Sequence, residues 1–143
     1  MQNKISFYDL LPTMEEKLIA GGEVTFIPEG RSMRPMFRGG IDKITLVRKN
    51  GRLKKYDLPF YRRSDGRYIL HRVIKVCDNY YVCRGDGTFT NEIGIKDKEI
   101  LGVVKSFEKK GKTRNCNSFG FKVYSVLWVN TCQIRKLFHI IFS

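Results

Sequence analysis

The sequence predicts a mainly β, antiparallel domain framed by an N-terminal and a C-terminal amphipathic helix. Short apolar runs rich in Val, Ile, Tyr and Phe recur between residues 23 and 107. Turn signals punctuate them at Asn50-Gly51, Ser64-Asp65-Gly66 and Asp78-Asn79. No long helical period intervenes, which argues for a mostly antiparallel sheet or a compact coiled barrel. Both flanks, by contrast, carry apolar residues at helical spacing.

A chain of 143 residues is one domain, large enough to bury a core. With 42% hydrophobic and 13% aromatic residues, it is too apolar to be disordered. The formal net charge is +13, from 27 basic and 14 acidic side chains. That balance implies an anionic partner or surface without naming it, since nucleic acid, lipid headgroups and acidic proteins all qualify.

Leu10, Leu11, Met14, Leu18 and Ile19 recur as one helical face, and Gly21-Gly22 stops the helix. Glu15-Glu16-Lys17 interrupts any apolar core, so residues 1–22 are read as a helix packed on the domain and not as a signal peptide. Strands are expected at 23–28, 42–48, 57–63, 67–77, 80–84 and 99–107. Together they form a unit spanning 23–107.

Residues 108–143 make the third segment. Lys105, Lys109, Lys110, Lys112 and Arg114 are opposed only by Glu108, which reads as a solvated basic link, or as a run that meets anionic lipid. The apolar stretch 119–142 is broken by Lys122, Asn130, Gln133, Arg135 and Lys136, too often for a transmembrane helix of about 20 apolar residues. Tyr124, Leu127, Ile134, Leu137, Phe138 and Ile141 lie near one helical stripe. That stripe either docks on the domain or lies in a membrane interface, where Leu127, Trp128, Leu137 and Phe138 would be buried. The chain is thus expected to be cytoplasmic or peripherally membrane-bound.

Cys77, Cys83, Cys116 and Cys132 show no CxxC spacing, so neither a zinc site nor any other metal is expected. A two-residue turn at Asp78-Asn79 pairs 77 with 80 and 74 with 83. Cys77 and Cys83 then fall on opposite faces of the sheet, unable to bridge. All four read as free thiols, which suits a reducing compartment.

The stretch with chemical promise is Gly30-Arg31-Ser32-Met33-Arg34-Pro35. Gly30 permits a sharp turn and Pro35 ends any regular run, so Ser32 is presented on a stiff bend after a strand. Such a hydroxyl is either an ordinary loop serine or a nucleophile awaiting a base. Downstream, Tyr68-Ile69-Leu70-His71-Arg72-Val73-Ile74 holds His71 within a β-type run, and Val82-Cys83-Arg84-Gly85-Asp86-Gly87 follows. An imidazole with a pKa of about 6.5 can take a serine proton at neutral pH, and a carboxylate on its far nitrogen would fix the tautomer. By themselves, His71 also fits a hydrogen-bonded strand histidine and Asp86 a turn residue. His139, the other histidine, sits between Phe138 and Ile140 and is a poor base.

With Ile100-Leu101-Gly102-Val103-Val104, these segments resemble the boxes of the type I signal peptidases and the related self-cleaving SOS-repressor proteases. The resemblance runs over about residues 22–105: a Ser-Met-x-Pro nucleophile box, a Gly-Asp step, a basic pair, a Gly-Asp box and a Leu-Gly-x-Val strand. His71-Arg72 in place of Lys-Arg is similar to the Ser-His branch. The resemblance implies a serine protease of coiled-sheet fold without cofactor, with Ser32 as nucleophile, His71 as base and Asp86 orienting His71. Gly30, Met33 and Pro35 would support the nucleophile box. It further implies a peptide or precursor-protein substrate bound as an added strand, with small residues near the cut.

Departures exist. Gly30 stands where many members carry an oxyanion serine, leaving backbone N–H groups to serve. The Gly-Asp step appears as Gly40-Ile41-Asp42 and again as Tyr56-Asp57. The acidic residue some members carry beyond the Gly-Asp box has no clear equivalent; Glu92 is the nearest acidic residue. Two other readings stand beside catalysis. One is a non-catalytic peptide-binding domain of the same fold. The other is a basic nucleic-acid-binding β module using Phe60, Tyr61, Tyr80 and Tyr81, against which no helix-turn-helix or RNP-like motif is seen.

Overall fold

The computed structural model describes residues 6–143. The expectation for residues 1–22 therefore concerns, at positions 1–5, residues outside those described.

Helix α1, Phe7–Ile19, starts where the Ser6 hydroxyl accepts the Tyr8 N–H and buries Met14 and Leu18. It ends at Ala20, after which Gly21 takes φ +85°, a conformation that a Cβ would penalise. The chain then builds two antiparallel sheets. The first contains β1 (Val24–Phe26), β2 (Lys43–Val47), β3 (Pro59–Arg62), β4 (Tyr68–Leu70), β8 (Ile100–Lys109) and β9 (Lys112–Asn115). Its order is β1-β2-β8-β3-β4. The long β8 pairs with β2 along one edge; on the other, β3 takes its first half and β9 its second. The second sheet is β5 (Arg72–Val76), β6 (Tyr81–Arg84) and β7 (Glu92–Ile95), in that order. Helices α2 (Phe119–Asn130) and α3 (Cys132–Phe142) close the chain.

The architecture is mainly antiparallel β, as the turn signals predict, but no closed barrel forms among the described residues. The run expected as one strand over 67–77 is two strands in different sheets, with His71 alone between them. Tertiary bonds cause the switch: His71 N–H donates to Pro59 O, while Val73 exchanges backbone bonds with Tyr56 and Asp57. Strand β3 serves both cores. Phe60 packs with Leu18, Ile44 and Phe107 in one, and Tyr61 with Val73, Tyr81 and Cys83 in the other, as alternation along a strand requires.

Three further differences concern the expected edges. The basic stretch 105–114 is no solvated link: it finishes β8, turns through Lys110-Gly111 at positive φ, and forms β9. Strand β7 also forms, where no strand is expected. All four cysteines are free, and Cys77 N–H does bond Tyr80 O. A register shift after Val73, however, pairs Cys83 with Val73 in place of residue 74.

Candidate active site

The Ser32 bend is a loop closed at its base. Gly40 N–H donates to Pro28 O at 2.8 Å, and Gly39 lies so close to the Gly30 backbone that a Cβ could not fit. Arg38 then grips the buried Asp42 carboxylate with its backbone N–H (2.8 Å), its Nε (3.2 Å) and a terminal nitrogen (2.8 Å). Burial pushes the Asp42 pKa up, but these bonds outweigh it and hold the group below the usual carboxylate range. Within the loop, Gly30 adopts φ +96° and Arg34-Pro35 is cis. Met33 is buried, and its Sδ accepts the Asp86 N–H at 3.4 Å. The exposed Pro35 offers its carbonyl to Lys109 Nζ at 2.7 Å.

The β6–β7 connection lies against this bend. Gly87 N–H donates to Ser32 O at 2.8 Å. Gly85 is wedged between the Ser32 carbonyl and His71: a Cβ there would strike the first and stand 3.0 Å from His71 Nε2. The Ser32 bend and the His71 ring, 39 residues apart, are therefore brought together across one glycine. Ser32 is half-buried, and His71 is only 3% exposed. His71 Nε2 is buried without a hydrogen-bond partner among the described residues, so Ser32 Oγ is not bonded to it.

The far side of the ring is held by Tyr61 and Glu92, where Asp86 is expected. Tyr61 Oη lies 3.2 Å from His71 Nδ1 and donates to Glu92 Oε2 at 2.6 Å. A hydroxyl has one proton. With that proton directed at Glu92, Tyr61 accepts from Nδ1–H, which leaves Nε2 as the basic nitrogen facing Gly85 and Ser32. Glu92 is anchored in turn by Arg63. Burial raises the Glu92 pKa, but the Arg63 and Tyr61 bonds prevail and keep it ionised. Burial likewise lowers the His71 pKa to about 4, although Glu92, 3.7 Å from Nδ1, works against it. The ring is neutral at pH 7, so its tie to Glu92 runs through the Tyr61 hydroxyl and is no ion pair.

Asp86 faces Arg72. The two are fully buried and bonded twice, Nε to Oδ1 and the terminal nitrogen to Oδ2, each at 2.8 Å. Tyr124 Oη donates to Asp86 Oδ2 at 3.2 Å, Trp128 Nε1 to Asp86 O at 2.7 Å, and Arg72 donates to Ser125 Oγ at 2.5 Å. Consecutive residues of an extended chain point opposite ways, so His71 and Arg72 cannot both face one carboxylate. Asp86 reaches His71 only as a distant charge that raises its pKa.

Ser32 also lines a cleft of about 550 Å³. Its walls are the segment after β1, the strand β4 and the rings of Phe7, Phe26, Phe60 and Tyr68. β1 and β4 are the two ends of the first sheet's path, so both borders carry strand edges. Of the four aromatics in the nucleic-acid reading, Phe60, Tyr61 and Tyr81 are buried and cannot stack on bases. No family model, characterised protein or solved structure matches this chain. Among the described residues no cluster of His, Cys, Asp and Glu could hold a metal ion, and burial pushes the Cys83 and Cys116 thiols up to about 12, far from reactive thiolates.

Proposed function

We propose that this chain is a serine endopeptidase of the signal-peptidase-like type, acting on a peptide or precursor protein by acyl transfer. The observation that carries the reading is His71 Nε2: a buried nitrogen, without a hydrogen-bond partner among the described residues, set against the Ser32 bend. A buried polar atom without a partner costs stability, and such groups gather at functional sites.

In this mechanism an extended peptide lies in the cleft beside a strand edge. Ser32 Oγ attacks the scissile carbonyl carbon while Nε2 takes the hydroxyl proton. The oxyanion is met by backbone N–H groups, that of Ser32 among them, since Gly30 offers no hydroxyl. The imidazolium that forms is stabilised through Nδ1–H, Tyr61 and Glu92. It then gives its proton to the leaving amine as the C–N bond breaks, and water hydrolyses the Ser32 ester by the same base. The aromatic walls suit apolar side chains, including larger ones than the family's small-residue preference implies.

A second reading, a peptide-binding domain without turnover, draws on one observation: Ser32 Oγ and Nε2 are not hydrogen-bonded. Labelling with a fluorophosphonate and cleavage of an apolar peptide library separate the two. The peptidase reading expects both to occur with wild-type protein and both to vanish in Ser32→Ala and His71→Ala. Peptide binding without labelling or cleavage would establish the second reading instead.

A further inference from the structure

The C-terminal helices have two different apolar faces. Helices α2 and α3 follow one another through Thr131, whose N–H donates to Leu127 O and whose carbonyl accepts from Arg135 N–H. At 1.5 Å per residue they extend about 36 Å. One stripe faces the domain: Phe121, Ser125, Trp128, Cys132 and Arg135 recur at spacings of three or four. It is held by the Arg72–Ser125 and Trp128–Asp86 bonds, and within the stripe Arg135 stacks 3.9 Å over the Trp128 ring. Trp128 is thereby committed to the domain.

The opposite stripe is exposed. Phe119, Leu127, Ile134, Leu137, Phe138 and Ile141 recur along it, and Leu137 and Phe138 are 57% and 56% exposed. A soluble surface rarely carries so many exposed large apolar side chains along one helical face, which only Asn130 interrupts. The charges around it have one sign. From Lys109 to the last residue described the chain contains no Asp or Glu, but it has Lys110, Lys112, Arg114, Lys122, Arg135 and Lys136. Between the β8–β9 hairpin and the domain-facing side of the first turns of α2 lies a groove of about 700 Å³. Its rim carries Lys110, Lys112 and Arg114 and its floor Phe107, Phe121 and Tyr124, which offers cations to a headgroup and carbon to a chain. No helix among the described residues is long and apolar enough to cross a membrane.

From this we infer that the outer stripe of α2–α3 docks flat on an anionic phospholipid surface, with the β8–β9 hairpin on the headgroups. The apolar stripe enters the acyl boundary, and the flanking cations neutralise lipid charge. The inner stripe stays on the domain, so attachment needs no unfolding. This assignment is independent of the chemistry at Ser32.

The test is co-sedimentation of the full chain with vesicles of phosphatidylcholine alone or mixed with phosphatidylglycerol, at low and high salt. Binding to the anionic vesicles is expected, weakened but retained at high salt, because screening removes only the charge contribution. Leu137→Glu/Phe138→Glu should weaken it at least about tenfold, and Lys110→Gln/Lys112→Gln/Arg114→Gln should remove most of its salt dependence. A Phe138→Trp variant, which keeps the apolar surface, should show a blue-shifted emission only with anionic vesicles. Three results would overturn the inference: an emission of the Phe138→Trp variant that lipid leaves unchanged, binding that high salt abolishes altogether, or a concentration-dependent dimer dissolved by Leu137→Glu/Phe138→Glu. The last would assign the stripe to a second copy of the chain.

Discussion

The Tyr61 hydroxyl stands 3.2 Å from His71 Nδ1 and donates its hydrogen bond to Glu92. One residue thereby sets the tautomer of another, and the setting leaves Nε2 bare towards Ser32. Tyr61→Phe removes the acceptor and leaves a buried N–H unpaired, at a cost of about 1–3 kcal/mol in stability. If His71 is the base, kcat should fall at least about tenfold with KM little changed, because the ring can then adopt the wrong tautomer. Steady-state kinetics decides: lost stability with full kcat would reduce Tyr61 to a packing residue.

The acid limb of the pH profile follows from the burial of His71. A base must be unprotonated, and this ring remains so down to about pH 4. The kcat/KM of a peptidase built on it should hold from neutrality down to about pH 5 and fall with a midpoint near 4. Glu92 raises the His71 pKa, so Glu92→Gln should move the midpoint lower. A midpoint near the ordinary histidine value of about 6.5 would mean that the base is solvated or is another group.

Stability carries the same shift with a definite sign. The unfolded imidazole takes a proton below about 6.5, whereas the folded one resists until about 4. Between these values the unfolded chain binds more protons, so stability falls as pH is lowered through the window. The full loss amounts to about 3 kcal/mol. Urea unfolding at pH 7, 5.5 and 4.5 measures it, and His71→Gln should flatten that part of the curve. An equal slope in the variant would place its origin elsewhere.

Asp86 and Glu92 are separable by experiment. Asp86 holds a fully buried Arg72, and Asp86→Asn would leave that guanidinium without its counter-charge, at about 3–5 kcal/mol. Tyr124 also donates to the Asp86 carboxylate and Arg72 to Ser125, so the melting temperature should drop and α2 loosen. The acid limb of activity in the surviving folded protein should hardly move. Glu92→Gln should do the reverse. An acid limb that moved with Asp86 and not with Glu92 would restore Asp86 as the orienting carboxylate.

Much of this arrangement could be read from residue order, and the parts that could not have physical causes. Met14 and Leu18 at helical spacing before Gly21-Gly22 suffice for α1, because its period and its stop are local. The sheet switch at His71 is not local. Residues 67–77 read as one run of strand-forming residues, and only bonds to Pro59, Tyr56 and Asp57 divide them. Strand β9 has no apolar residue to announce it, since Lys112–Asn115 is exposed throughout and held by backbone pairing to β8. Ser32 and His71 are marked by their own segments and do come together. The exchange of Asp86 for Glu92 depends on which way Arg72 points, and the strand boundary at His71 sets that. Glu92 as the nearest later acidic residue was the available signal.

Gly85 offers the sharpest test of the pairing between Ser32 and His71. Its φ does not lie in the left-handed region, so alanine is conformationally acceptable, and only space opposes it. The added Cβ would overlap the Ser32 carbonyl and stand 3.0 Å from His71 Nε2. Both contacts are with groups already tied in place, Ser32 O by Gly87 N–H and the ring by Tyr61. Gly85→Ala should therefore wedge the bend away from the ring, at about 1–3 kcal/mol of overpacking. A misplacement of about 1 Å can cost on the order of a hundredfold in rate, so cleavage and fluorophosphonate labelling should nearly vanish while the protein stays folded. Gly120→Ala is the control: nothing lies within 4 Å of a Cβ at that helical position, so it should keep activity and gain up to about 1 kcal/mol. Wild-type labelling in folded Gly85→Ala would show that the Ser32 hydroxyl reacts without the His71 ring beside it, and the dyad would fall.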